Sequence, residues 1–191
     1  MDVFQAIKER RSIRKYKPDP VSDEDLDAVL EAARWAPSWG NSQCWKFVVV
    51  RDAERRNKLA DTLLSMRSGR DNPASLAMRN APIVIVACGE LGRSGFKRVE
   101  EERVFATDKG DWFMYDVALA MQNLTLAAHA LGLGTVHIGA FDAAAAARVI
   151  DVPEGTVVVS LTPLGHPDEE PEARPRKELE EIIFREGFGG Q

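Results

Sequence analysis

The alternation of helix-period and strand-like segments in this 191-residue chain predicts a single α+β or α/β domain built on a central sheet. Three observations point there. Four short runs, most of them rich in β-branched residues, are spread along the sequence, and helical segments flank and separate them. Two helices precede the first strand, which is atypical of a dinucleotide-binding unit, where a strand comes first. The length suffices for one sizeable core, and 45% apolar with 29% charged residues is ordinary for a globular domain. No internal repeat or low-complexity tract interrupts the pattern.

Asp2 to about Arg10 is expected to form a short amphipathic helix with Val3, Phe4 and Ile7 on one face. Pro18 and Pro20 then break the chain. Ser22 is placed to cap a second helix, with Asp25 three residues on as in a capping box. Leu26, Val29, Leu30 and Ala33 recur there at helical spacing, and Pro37 ends the element. Trp45 to Val50 reads as a buried strand with Trp45 in the core, Ala53 to about Met66 as a helix, and Pro82 to Cys88 as a second buried strand. Glu90 to Asp108, charged and glycine-containing, reads as a long irregular loop of the kind that forms lids. Asp111 is placed to cap a helix from Trp112 to Leu131 that Gly132 and Gly134 terminate. That helix is apolar nearly all round, as in a core or at a subunit interface. Thr135 to Ile138 reads as a short strand, Asp142 as the cap of an alanine-rich helix to Ile150, and Thr156 to Leu164 as a strong strand. The tail from 166 to 191 is charged, with a short helical stretch near Leu179 to Phe184.

Composition narrows the function. Twenty-five Lys and Arg against 30 Asp and Glu give a net charge of −5, which weighs against a dedicated nucleic-acid binder. Cys44 and Cys88 are far apart and make no C-x-x-C, so neither a disulfide framework nor a zinc site is expected, and a reducing cytoplasm fits. Met1 to Lys8 lacks the apolar core of a signal peptide, and no apolar run is long enough for a bilayer. His129, His137 and His166 show no metal-ligand spacing with carboxylates, and neither G-x-S-x-G nor H-E-x-x-H occurs. No metal, membrane or nucleic-acid partner is expected.

Against that acidic background, six basic residues fall between Lys8 and Lys17. Guanidinium forks bind phosphate bidentately, and Ser12 adds an oriented hydroxyl beside Arg10, Arg11 and Arg14. The competing reading is a solvated basic helix end, which the helix dipole favours. Ser38 to Trp45 is a second feature, rich in amides between two tryptophans. Asn41 and Gln43 each offer a donor and an acceptor, matching the edge of a heterocycle. Together the two features suggest a phosphorylated, ring-bearing cofactor. Cys44 reads as a small buried hydrophobe rather than a reactive thiol. Gly132-Leu133-Gly134 is a helix end and not a dinucleotide fingerprint, since His137 stands at the third glycine position. Arg174, Arg176 and Lys177 lie amid glutamates and gain meaning only if the tail folds back to the first cluster.

Several segments, in order, resemble the nitroreductase family of FMN-dependent oxidoreductases. They are Arg10-Arg11-Ser12-Ile13-Arg14-Lys15-Tyr16, Ala32 to Ser38 with Asn41-Ser42-Gln43-Cys44-Trp45, the helix end Leu126 to Gly134, Ile138-Gly139-Ala140-Phe141 and Leu164-Gly165-His166-Pro167. The resemblance covers most of the chain and is weakest from Arg51 to Gly110. It implies an α+β fold: a mixed central sheet flanked by helices in an intertwined homodimer, with the Trp112–Leu131 helix at the interface and FMN between the subunits. The whole chain would be one FMN-binding domain whose tail returns to the FMN phosphate or the partner subunit.

By the same resemblance, Arg10, Arg11 and Ser12 approach the FMN phosphate and ribityl chain, and Arg174 and Arg176 return to that phosphate. Arg14 lies near flavin N1, where a cation stabilises the anionic reduced ring. Ser38 and Asn41 come from the partner subunit, Gln43 either joins them at the flavin or braces their loop, and Gly139 directs its backbone N–H at flavin N5 with Ala140 adjacent. An asparagine contact is also implied, for which Asn72 and Asn80 are the candidates. Cys44 stands where the family often has proline. The implied activity is ping-pong hydride transfer from NAD(P)H to nitroaromatics, quinones or similar oxidants, with no protein side chain as catalytic acid or base. The alternatives are a flavin-destroying or reductively dehalogenating relative, distinguished by the lid, and a flavin-binding carrier or sensor without turnover.

Overall fold

An unbroken apolar run becomes the strand on which the molecule is organised. The computed structural model describes residues 1–65 and 72–188. In it β2 (Ile83–Glu90) is buried from Ile83 to Gly89. A strand can be that apolar only if both its faces are covered. Its alternate side chains enter two cores, as the two-residue period of a strand requires. Ile83, Ile85 and Ala87 join Leu26, Val29, Val117 and Leu124, whereas Val84, Val86 and Cys88 join Leu59, Met78, Ile138 and Ile150. The first core is roofed by α2 (Asp23–Arg34) and α5 (Phe113–Ala130), the second by α3 (Ala53–Asp61), α4 (Ala74–Asn80) and α6 (Ala143–Val149).

The central sheet has the order β1-β2-β6-β5, with β1 Trp45–Val50, β5 Gly134–Thr135 and β6 Thr156–Gly165. These strands pair antiparallel, with a register irregularity at Ala87/Cys88. An isolated parallel bridge between Ser12 and Thr135 lies outside these antiparallel strands. It fixes the basic segment after α1 (Val3–Glu9) to the sheet edge. The Ile13 N–H donates to the Thr135 carbonyl at 2.9 Å, and the Lys17 N–H to the His166 carbonyl at 2.9 Å. The buried Tyr16 hydroxyl donates to the Ile13 carbonyl at 2.6 Å. Ile13 is seated so closely that a Cβ placed on Gly134 would meet its side chain at 2.8 Å.

Local caps act where the sequence places them. Ser22 Oγ accepts from the Asp25 N–H at 3.0 Å, and Asp142 accepts from the Ala145 N–H at 2.9 Å. Other expectations need correction. The segment 90–108 is not irregular: β3 (Phe96–Val99) and β4 (Glu102–Phe105) form a hairpin. Its charged residues mask the strand alternation, and the reversal uses Glu100 at φ 55°. Helix α4 was not expected, and α3 ends at Asp61, short of Met66, which lies outside the described residues. Gly134 belongs to β5; the end of α5 falls to Gly132 at φ 77°, a conformation that suits glycine. Trp112, not Asp111, is the N-cap of α5, although Asp111 Oδ1 still accepts from the Phe113 N–H at 3.1 Å. The Thr135–Ile138 strand shrinks to Gly134–Thr135 and a bridge from Ile138 to Leu161. Among the described residues no helix is long and apolar enough to cross a membrane.

Gly134→Ala should lower unfolding stability by roughly 1–3 kcal/mol, the usual cost of overpacking a filled contact. Urea denaturation checks this, and the loss should shrink when Ile13→Val is added to relieve the clash.

Candidate functional site

The chain leaves α1 at Arg10 with extended backbone and runs along the sheet edge, and the tail after β6 comes back to the same place. Between them lies a cavity of about 710 Å³. Lys8, Arg10, Arg11, Ser12 and Arg14 line one side, and Pro171 to Arg174 with Arg176 line the other. Backbone hydrogen bonds enforce the meeting. Glu169 Oε1 accepts from the N–H groups of Arg14 at 2.5 Å and Lys15 at 3.1 Å, and the Asp168 N–H donates to the Lys15 carbonyl at 3.0 Å. The tail therefore folds back onto the first cluster, and six of the sequence-derived site residues, Arg10, Arg11, Ser12, Arg14, Arg174 and Arg176, share one cavity.

The charges there are unbalanced. Among the described residues Glu172 is the one carboxylate lining the cavity, beside six cations. Burial, then repulsion from Arg11 and from Arg176, pushes the Arg10 guanidinium below its ordinary range. Arg11 is partly committed elsewhere: its Nη1 donates to the carbonyls of Lys8 at 2.8 Å and Arg10 at 3.0 Å, closing the C-terminal end of α1. The helix-end reading of the cluster thus holds for Arg11. Arg176 is held in a similar way, its Nη1 donating to the carbonyls of Arg174 at 3.2 Å and Pro175 at 3.5 Å, while Arg10 and Arg174 line the cavity with no side-chain hydrogen bond among the described residues. Lys8 is part of the lining as well. A depression of about 590 Å³ adjoins it, shared by Arg10, Arg11, Thr135 and His129, and His129 Nε2 is buried without a hydrogen-bond partner.

Ser38, Asn41 and Gln43 are not in this cavity. They occupy a tight loop around a 3-10 turn, Trp39–Asn41, in which Gly40, Asn41 and Gln43 all have positive φ. The Gln43 N–H donates to Ser38 Oγ at 3.0 Å and its side-chain amide to Asn41 Oδ1 at 3.2 Å. The loop is anchored by Asp116 in the first turn of α5, a carboxylate only 1% exposed. Asp116 accepts from the Trp39 N–H at 3.1 Å, Ser42 Oγ at 2.9 Å and Ser94 Oγ at 2.7 Å, with the Cys44 thiol 3.6 Å away. Sequence reasoning missed Asp116; the only linear signal was an acid inside an apolar helix. Cys44 is fully buried, and burial, then the Asp116 charge, pushes its thiol up to about 11. Burial alone does the same to Cys88, up to about 11.

Gly139 and Ala140 follow the bridged Ile138. Three residues separate Gly139 from Thr135, and the bridge from Ile138 to Leu161 keeps Gly139 next to β6. Gly139 is exposed, and a Cβ there would meet nothing within 4 Å, so its backbone faces open space. Asn72 is committed to its own turn, with its amide donating to the Leu64 carbonyl and its oxygen accepting from the Ala74 N–H. Neither Asn72 nor Asn80 lines the cavity. Among the described residues no group of three or more His, Cys, Asp and Glu could hold a metal ion.

The profile of the nitroreductase family matches residues 7–166. The chain is 34% identical over 178 residues, 91% of its length and 82% of the relative's, to a protein of Methanothermobacter thermautotrophicus provisionally assigned as an NADH dehydrogenase/NAD(P)H nitroreductase. It is 31% identical over 189 residues to the NADPH-flavin oxidoreductase of Vibrio harveyi, covering 98% of this chain and 75% of that one. The structure of an FMN-dependent nitroreductase from Clostridium difficile superposes with a TM-score of 0.76 at 27% identity, covering 97% of this chain and 99% of that one.

Asp116→Ala strands several buried donors and should cost roughly 3 kcal/mol or more in a denaturation experiment. Neither thiol should react with a disulfide reagent at about pH 8 in the native protein, where thiolate is scarce, and both should react after unfolding.

Proposed function

The chain belongs to the nitroreductase family, and from that premise we propose that it is an NAD(P)H-dependent FMN oxidoreductase working as a homodimer. The observation that carries this reading is the cavity that joins cations from both ends of the chain. A crowded, partly buried set of guanidinium groups with a serine hydroxyl fits a dianionic phosphate monoester, because bidentate charge-assisted hydrogen bonds would relieve their mutual repulsion. When bound, FMN supplies the redox chemistry, accepting hydride from NAD(P)H and passing it, in alternation, to a nitroaromatic, quinone or similar small oxidant.

Every other part is the chain's own. Arg10, Arg11, Ser12, Arg174 and Arg176 hold the phosphate end. Arg14 follows two residues along the same extended segment and is exposed, which lets its guanidinium reach the ring and favour the reduced, anionic form. Gly139 offers open backbone, with Ala140 adjacent and held by the Leu64 N–H that donates to its carbonyl at 2.9 Å. Ser38, Asn41 and Gln43 lie on a separate, rigid loop, as fits a contribution to the other subunit's flavin. No side chain of this set is assigned as acid or base.

The dimer has its own support. Phe4 is 81% and Phe188 90% exposed, and Val3, Ile7, Met114, Tyr115, Leu179, Ile182, Ile183 and Phe184 are exposed as well. So many apolar side chains on α1, the start of α5 and the tail mark a surface that a partner covers. The charge balance and the lone buried cysteines suit the cytoplasm.

The test is the visible spectrum of the purified, FMN-reconstituted protein under anaerobic conditions. Flavin absorbance that NADH or NADPH bleaches, and that an added quinone restores, supports the reading. Absence of flavin binding overturns it, and bound flavin that neither nucleotide reduces leaves a carrier in its place. Arg14→Ala should lower the flavin potential by on the order of tens of millivolts, and Arg11→Ala by clearly less. Equal shifts in redox titration would remove Arg14 from the ring.

A further inference from the structure

The β3–β4 hairpin carries a cluster of charge that FMN binding does not use. A small cavity of about 170 Å³ is lined by Arg93, Phe96, Lys97, Arg98 and Arg103, four cations and no carboxylate. Arg98 and Arg103 are directly opposed across the strands, a like-charge pairing that destabilises a hairpin unless something neutralises it. Arg103 Nη1 donates to the Gly92 carbonyl at 2.9 Å. Among the described residues Arg93, Lys97 and Arg98 form no ion pair. The hairpin's own acids, Glu100, Glu101 and Glu102, face a different depression. Beside the arginines, Phe96 and Phe105 pair with ring centroids 4.6 Å apart, and Phe105 is exposed.

The hairpin is also held in place. Gly95, at φ 82°, is packed so tightly that a Cβ would meet the Gly110 carbonyl at 2.6 Å. Next to it, Ser94 donates to the same Asp116 carboxylate that anchors Ser42 of the amide-rich loop. One buried group thus fixes the cationic hairpin beside the loop assigned to the flavin.

We propose that the β3–β4 hairpin is the site for the 2′-phosphate end of the reducing dinucleotide, so that this protein selects NADPH over NADH. This rests on the oxidoreductase reading above. Arg98 and Arg93, with Arg103 behind them, bind the 2′-phosphate, and the Phe96–Phe105 pair offers its exposed ring to the adenine. A dianion suits three guanidinium groups and an ammonium better than a hydroxyl does, and a 2′-phosphate is the one group in which the two dinucleotides differ.

The test is calorimetric binding of adenosine 2′,5′-bisphosphate and of AMP to the FMN-loaded protein, in wild type and in Arg98→Ala and Arg98→Glu. Among the described residues the Arg98 side chain makes no hydrogen bond that these changes would break. The bisphosphate should bind wild type about tenfold or more tighter than AMP, with that advantage lost in Arg98→Ala and reversed in Arg98→Glu. The NADPH-to-NADH ratio of kcat/KM should fall in parallel by about 10- to 100-fold. Equal binding of bisphosphate and AMP, or an advantage that Arg98→Glu leaves intact, overturns the proposal. So does inorganic phosphate competing as well as the bisphosphate, which would mark a general anion site. Failure here with flavin still bleached by NADH leaves the oxidoreductase reading standing.

Discussion

The site depends on holding guanidinium groups together against their own repulsion, and backbone hydrogen bonds do the holding. The segment from Arg10 to Lys17 has no regular structure of its own. It is fixed at Ile13 to Thr135, at Lys17 to His166, and through Glu169 at the N–H groups of Arg14 and Lys15. Each tie is ordinary, about 0.5–1.5 kcal/mol net for a neutral pair and more where Glu169 is the acceptor. Together they bring the basic segment, the sheet edge and the tail to one place. The sheet edge can serve because β6 and β5 are positioned by the buried β2, so the core and the site share one scaffold.

A second node, Asp116, does for the amide-rich loop what Glu169 does for the basic segment. A carboxylate so buried is tolerable only with several donors, and the Trp39 N–H, Ser42 and Ser94 supply them. The positive φ values at Gly40, Asn41 and Gln43 are conformations such an anchored loop can sustain. Cys44, where the family often has proline, sits buried under this node, so its thiol contributes packing rather than reactivity.

What the sequence disclosed follows from how local each signal is. Ser22 and Asp142 announce helix starts through a bond three residues away, and β1, β2 and β6 announce themselves by β-branching. The hairpin was hidden because Lys97, Arg98, Glu102 and Arg103 interrupt its apolar alternation, and α4 because it is short and opens on Pro73 without a side-chain cap. In the site, the Arg10–Arg14 cluster was legible as one run. The joining of Arg176 to Arg10 is a property of the fold, as is the collection of donors by Asp116, and neither leaves a pattern in nearby residues. The apolar face of α1 was legible, but nothing local says what covers it.

The central claim is that the N-terminal segment and the tail together grip a phosphate. The most direct measurement is the affinity of the flavin-free protein for FMN and for riboflavin, which lacks the phosphate, in wild type and in Arg176→Ala. The account predicts that FMN binds far more tightly than riboflavin and that Arg176→Ala narrows the gap by about 10- to 100-fold, chiefly through FMN. Riboflavin binding as tightly as FMN, or a gap that Arg176→Ala leaves unchanged, would contradict it.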